Sequence, residues 1–70
     1  FIEMVLAHYD ASLTFYGRDL GARVIRKHLG WYMDHAGTAP RARRAVLTET
    51  DPARVLRLLP EALAPMAEAA

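Results

Sequence analysis

Apolar residues along this chain recur three and four apart, and nowhere alternate as a half-buried strand requires. Ile2, Val5, Leu6, Tyr9, Leu13 and Tyr16 form one stripe over four turns, which predicts a first helix ended by Gly17 as a left-handed stop. Asp19 then stands near the positive end of a second helix, running from about Asp19 to Asp34 or His35, with Gly37 as its terminator. Thr38-Ala39-Pro40 reads as the start of a short third helix reaching about Leu47, the threonine hydroxyl serving as cap and the proline falling in the first turn. Thr48-Glu49-Thr50 is a linker, and Asp51-Pro52 repeats the start signal with Asp51 as N-cap. The fourth helix turns Val55, Leu56, Leu59, Leu63 and Met66 inward. Pro60 removes a donor and crowds the preceding turn, so this helix should kink or break there. Pro65 weakens the tail, and Ala67 to Ala70 should fray. There are no internal repeats. The expectation is an all-α fold, a small four-helix bundle whose last helix is kinked or broken near Pro60.

The second helix separates its residues most sharply. At about 100° per residue, Arg23, Arg26, Lys27 and Gly30 share one arc. Leu20, Val24, Ile25, His28, Leu29, Trp31 and Tyr32 fill most of the remainder, as a packing side. Three cations around a glycine, which places no side chain before an approaching partner, suit a polyanion. A merely solvated face usually pairs acids with bases four residues away, and here only Asp19 is placed to do so, beside Arg23.

Composition bounds the reading. Seventy residues allow one small domain, burying about 60 % of the surface its unfolded chain exposes. With 53 % hydrophobic and 24 % charged residues the chain is a folder, not a disordered tail. Charges interrupt every apolar run before the roughly 18 residues of a membrane span. The absence of cysteine excludes disulfides and thiolate metal sites, and agrees with a reducing, cytoplasmic setting. The opening Phe1-Ile2-Glu3-Met4 already lies inside an amphipathic pattern, which suggests an excised piece whose missing part lies on the N-terminal side. A net charge of +1 conceals an asymmetry: from Gly17 to Arg44 seven cations face two acids, a balance of +5, and the flanks carry −4. Such concentration attracts oppositely charged partners even when the total is near zero. Arg18, Arg41 and Arg44 therefore join Arg23, Arg26 and Lys27 as candidate RNA-binding residues.

Bond chemistry is absent from the pattern. The sequence has no glycine-rich phosphate loop, no nucleophile elbow and no paired carboxylates on one face, so no catalytic or cofactor-binding residue is expected. His8 and His35 lack a companion at the spacing of a helical zinc pair, and no metal site is expected. His28, mid-arc, reads as a buried, hydrogen-bonded imidazole. Trp31 and Tyr32 are of the type that stacks on unpaired bases, but their place on the apolar arc puts both in the core, Tyr32 keeping its hydroxyl at the rim. Gly17 and Gly21 have small-xxx-small spacing, but the charges between them exclude a lipid setting, and close helix crossing accounts for Gly21.

His8-Tyr9, Phe15-Tyr16-Gly17, Gly21 and Arg26-Lys27-His28 followed by Trp31-Tyr32 together resemble a known family. They are similar to the C-terminal helical domain of bacterial tRNA-dihydrouridine synthases, in particular the B-type subfamily once labelled nitrogen-regulation proteins. The match is concentrated in about 25 residues; F-Y-G and R-K-H-x-x-W-Y at this separation are its specific part. Family patterns often have alanine where this chain has Ile25, a conservative departure. The resemblance implies a parent oxidoreductase whose N-terminal TIM barrel binds FMN. In it NADPH reduces the flavin, the flavin passes hydride to C6 of a D-loop uridine, and a barrel cysteine protonates C5. It also implies that the helical domain packs against the barrel and holds the tRNA. Arg26 and Lys27 are the residues carried over onto phosphate, and Arg23 joins them as an inference from its face.

The leading expectation is thus a tRNA-positioning domain with tRNA and its own barrel as partners, no activity in this segment, and no membrane. The alternative is a helical interaction module docking an acidic partner. Helix-turn-helix DNA binding is weaker, because Gly30, Trp31 and the stop at Gly37 leave few base-reading side chains on the second helix.

Overall fold

The computed structural model describes the backbone through Ala69 and side chains through Met66. Its elements are α1 (Ile2–Tyr16), α2 (Arg18–Ala36), α3 (Pro40–Thr48), α4 (Pro52–Ala62) and the short α5 (Ala64–Ala69). The chain is 86 % helical with no strand among the described residues, and a 28° bend joins the last helical stretch to the one before it. The bundle is the expected one, with the break at Leu63 rather than at Pro60 itself. Pro60 stays inside α4, and the backbone leaves the α-helical ladder at Leu63, where Met66 N–H bonds Leu63 C=O at 3.1 Å. Pro65, two residues on, lies in the first turn of α5, where no intrahelical donor is needed. The fraying expected for Ala67–Ala70 falls outside the residues described in full.

Each helix boundary has a local cause. Gly17 ends α1 and starts α2 at φ 90°, ψ 165°, a region essentially reserved for glycine, though not the left-handed helical one the sequence suggested. Gly37 does adopt that left-handed conformation, at φ 78°, ψ 27°. Asp51 caps α4, its Oδ1 accepting the Ala53 N–H at 3.1 Å, with Pro52 following at the first helical position. At α3 the expected cap is absent. Ala39 is the N-cap residue, and the Thr38 hydroxyl instead donates to the Ala62 carbonyl at 2.6 Å, tying the α2–α3 turn to the end of α4.

Helix α2 is central and touches each of the others. Val5 and Tyr9 of α1, Ile25, Leu29 and Met33 of α2, and Val46, Val55, Leu59 and Leu63 beyond them form the core. At the α1–α2 crossing a Cβ on Gly21 would lie 2.5 Å from the Ser12 carbonyl oxygen and 2.8 Å from Leu13 Cα, so backbone approach itself requires glycine. The Ser12 hydroxyl closes the crossing with a 3.0 Å bond to the Gly21 carbonyl. No helix among the described residues is long and apolar enough to cross a membrane.

Candidate nucleic-acid interface

The apolar side of α2 is narrower than its composition suggests. Its buried residues are Gly21, Ile25, Leu29, Gly30, Met33 and Ala36. Leu20 and Val24 are exposed, and so is Trp31, at 57 %. The core placement of Trp31 is therefore corrected: at about 100° per residue its ring stands roughly 160° round the helix from Leu29, and more than half of its surface stays open. Tyr16, placed in the α1 stripe, is also exposed, because α1 ends there. The buried, hydrogen-bonded imidazole expected at His28 is not found: its ring is half-buried and makes no hydrogen bond among the described residues. Its ring packs between His8 and Trp31, with centroids 5.3 and 5.2 Å away. Tyr32 is half-buried as expected, its hydroxyl 2.8 Å from His8 Nδ1 across the α1–α2 seam.

Opposite the core the cations stand outward. Arg23, Arg26 and Lys27 are exposed, and none pairs with a carboxylate among the described residues. Asp19, expected to face Arg23, makes no such pair. The three line a hollow of about 470 Å³ together with Gly30, Trp31 and Arg43. Arg43 was counted in the basic stretch but not among the candidate residues. It comes from α3, is held to Asp34 of α2 by Nε at 2.9 Å, and lays its guanidinium across Gly30, where a Cβ would lie 3.1 Å from it. The opening that Gly30 leaves is thus taken by an arginine of the neighbouring helix. The arginine run 41–44 on a predicted helix was the available signal; which of its members faces α2 depends on how α3 docks.

A second hollow adjoins the first and shares Arg23 and Arg26 with it. Arg18, Asp19 and Thr50 complete its rim. Arg18 reaches Asp51 at 3.3 Å, a pair open to solvent and so worth little. Arg41 and Arg44 are exposed on α3 and line neither hollow. The structure therefore gathers four of the six candidate residues, adds Arg43, and leaves two apart. Beneath this surface Tyr9 is buried, and burial raises its hydroxyl pKa above the ordinary value of 10.0, while the charges of Arg26 and Arg18 pull it down and that of Asp51 pushes it up. Among the described residues no group of three or more histidines and carboxylates could hold a metal ion. No buried side-chain nitrogen or oxygen among them lacks a hydrogen bond. What the arrangement offers is outward positive charge spaced along one helix.

Comparison with known proteins gives the surface a context. No protein-family profile matches the chain, and no solved structure matches it significantly. Curated relatives do. A protein of Rhodobacter capsulatus named "Probable tRNA-dihydrouridine synthase" is 51 % identical over 59 residues, 84 % of this chain and 18 % of that protein. A Rickettsia conorii protein of the same name is 35 % identical over 60 residues, 86 % of this chain and 18 % of the relative. A Xanthomonas campestris protein named "tRNA-dihydrouridine synthase B" is 47 % identical over 38 residues, 53 % of this chain and 11 % of the relative. The chain spans about a fifth or less of the length of the curated relatives it matches.

Proposed function

We propose that this chain is the tRNA-positioning helical domain of a tRNA-dihydrouridine synthase of the B type, placed C-terminal to a flavin-binding barrel in a cytoplasmic enzyme. One observation carries the reading: Arg23, Arg26 and Lys27 stand exposed and free of carboxylates among the described residues, around a hollow that Arg43 closes from the neighbouring helix. The names of the relatives support RNA as the polyanion.

Folded tRNA presents phosphates along a bent path, and its helices are recognised mainly by shape and backbone. Cations on a rigid helix fix the register of such a ligand without reading its bases. Holding the RNA in one orientation against a distant reacting centre turns a diffuse encounter into an oriented complex, a large share of many rate enhancements. Extrusion of the target base belongs to the barrel. FMN, reduced by NADPH, would supply the hydride chemistry there. Neither cationic hollow is enclosed or apolar enough to sheath a flavin ring, and the flavin is assigned to the barrel. This chain's own share is binding and orientation.

The test is titration of the chain with unmodified tRNA at low salt, followed by per-residue NMR shifts. Shifts should cluster on Arg23, Arg26, Lys27 and Arg43, and the double variant Arg26→Ala/Lys27→Ala should bind more weakly while keeping the wild-type fold. Unchanged affinity in that variant overturns the reading. Absence of any tRNA affinity in the wild type points instead to an acidic protein partner.

A further inference from the structure

The chain's single tryptophan is spent on the surface. Trp31 is 57 % exposed at the rim of the cationic hollow. Lys27 Nζ lies 5.2 Å from the centre of its ring, and His28 meets it edge to face with centroids 5.2 Å apart. The indole thus takes no part in the core, yet its plane is steadied by two neighbours one turn and three residues back along α2. Arg43, anchored to Asp34, borders the same space from α3.

We propose that Trp31 is a stacking platform for one unpaired base of a bound RNA, and that Arg26, Lys27 and Arg43 hold the phosphates beside that base. This rests on the RNA reading above and names the part of the ligand that the hollow selects. The argument is one of matching chemistry. A nucleotide is a flat π-surface tied at short range to an anion, and the hollow sets one flat π-surface among four cations and a single carboxylate, that of Asp34, which is paired with Arg43. A protein partner would need an apolar side chain for the ring and a separate carboxylate for each cation, while one repeating nucleotide unit supplies both. Base-paired RNA does not satisfy the ring, because its bases are stacked on one another and its deep major groove shuts side chains out. The ligand is therefore a loop, bulge or single strand. Lys27 occupies the π-cloud of the indole in the free chain through a cation–π contact. An arriving base takes that place, and the ammonium moves the short distance to phosphate, so the positive charge stays satisfied throughout.

Because the chain has one tryptophan, fluorescence excited to the red of tyrosine absorption reports this site alone. The experiment titrates the 70-residue chain, whose helices bury a core of their own, with three probes at low salt: an unstructured single-stranded RNA oligomer, an abasic oligomer of equal length and charge, and a fully paired RNA duplex. The single strand should quench Trp31, whereas the abasic oligomer and the duplex should bind without quenching. Trp31→Ala should lower affinity for the single strand by roughly 5- to 150-fold, the loss of one stacked base, and leave affinity for the abasic oligomer unchanged. Trp31→Phe should recover most of the difference, which separates stacking from any effect on folding. Equal affinity of wild type and Trp31→Ala for the single strand, or equal quenching by the abasic oligomer, overturns the proposal and leaves the phosphate-binding reading intact. Failure of the wild-type chain to bind any of the three removes both.

Discussion

Tyr9 places a hydroxyl of the core within reach of the charges of Arg26, Asp51 and Arg18. Burial opposes its ionisation more than Arg26 and Arg18 favour it, so its pKa in the folded chain lies above the ordinary 10.0. The stability tied to this group is fully present below pH 10 and declines as pH rises toward the folded value, because the unfolded chain releases its proton first. Tyr9→Phe should therefore flatten the fall in melting temperature above pH 10 relative to wild type; an identical alkaline profile in both proteins would mean that Tyr9 does not contribute. Single residues were also where the sequence was hardest to read. Leu20, Val24 and Trp31 are apolar by type and extend the arc of Ile25 and Leu29 far round α2, but type does not say where the covering helix stops. Arg23, Arg26 and Lys27 were legible because charge resists burial wherever the partners lie.

At the scale of elements, helix ends were encoded locally and helix contacts were not. Gly17, Gly37 and Pro52 act through their own backbone and Asp51 through a carboxylate that reaches only two residues on, and each boundary falls beside them. Thr38 looked like a cap by the same logic, yet its hydroxyl serves the Ala62 carbonyl, a partner 24 residues away that no local pattern announces. Gly21 is the reverse case, a contact that spacing did suggest. Its replacement by alanine would drive a methyl into the Ser12 carbonyl and the Leu13 backbone, neither of which can rotate aside. Gly21→Ala should cost some 1–3 kcal/mol or more through overpacking, despite the gain of about 1 kcal/mol in helix propensity. A thermal melt as stable as wild type would show that the two helices can separate at no cost.

Over the whole molecule, charge is divided between a basic middle and acidic flanks, and folding concentrates the former around α2. With four or five phosphate contacts, the logarithm of tRNA affinity should fall against the logarithm of salt with a slope of roughly −3 to −4.5. Arg26→Ala/Lys27→Ala should make that slope shallower by about 1.5, two fewer released counterions. A slope near zero in the wild type would leave no place for backbone contacts. The sequence made the basic region visible, but not that it is joined from two helices, since Arg43 meets Gly30 only once α3 has docked. That meeting has a consequence for the life of the polypeptide. A pocket whose walls come from separate segments vanishes when the segments part, so any ligand held there taxes denaturation, and if RNA is that ligand its supply would raise the temperature at which the chain melts.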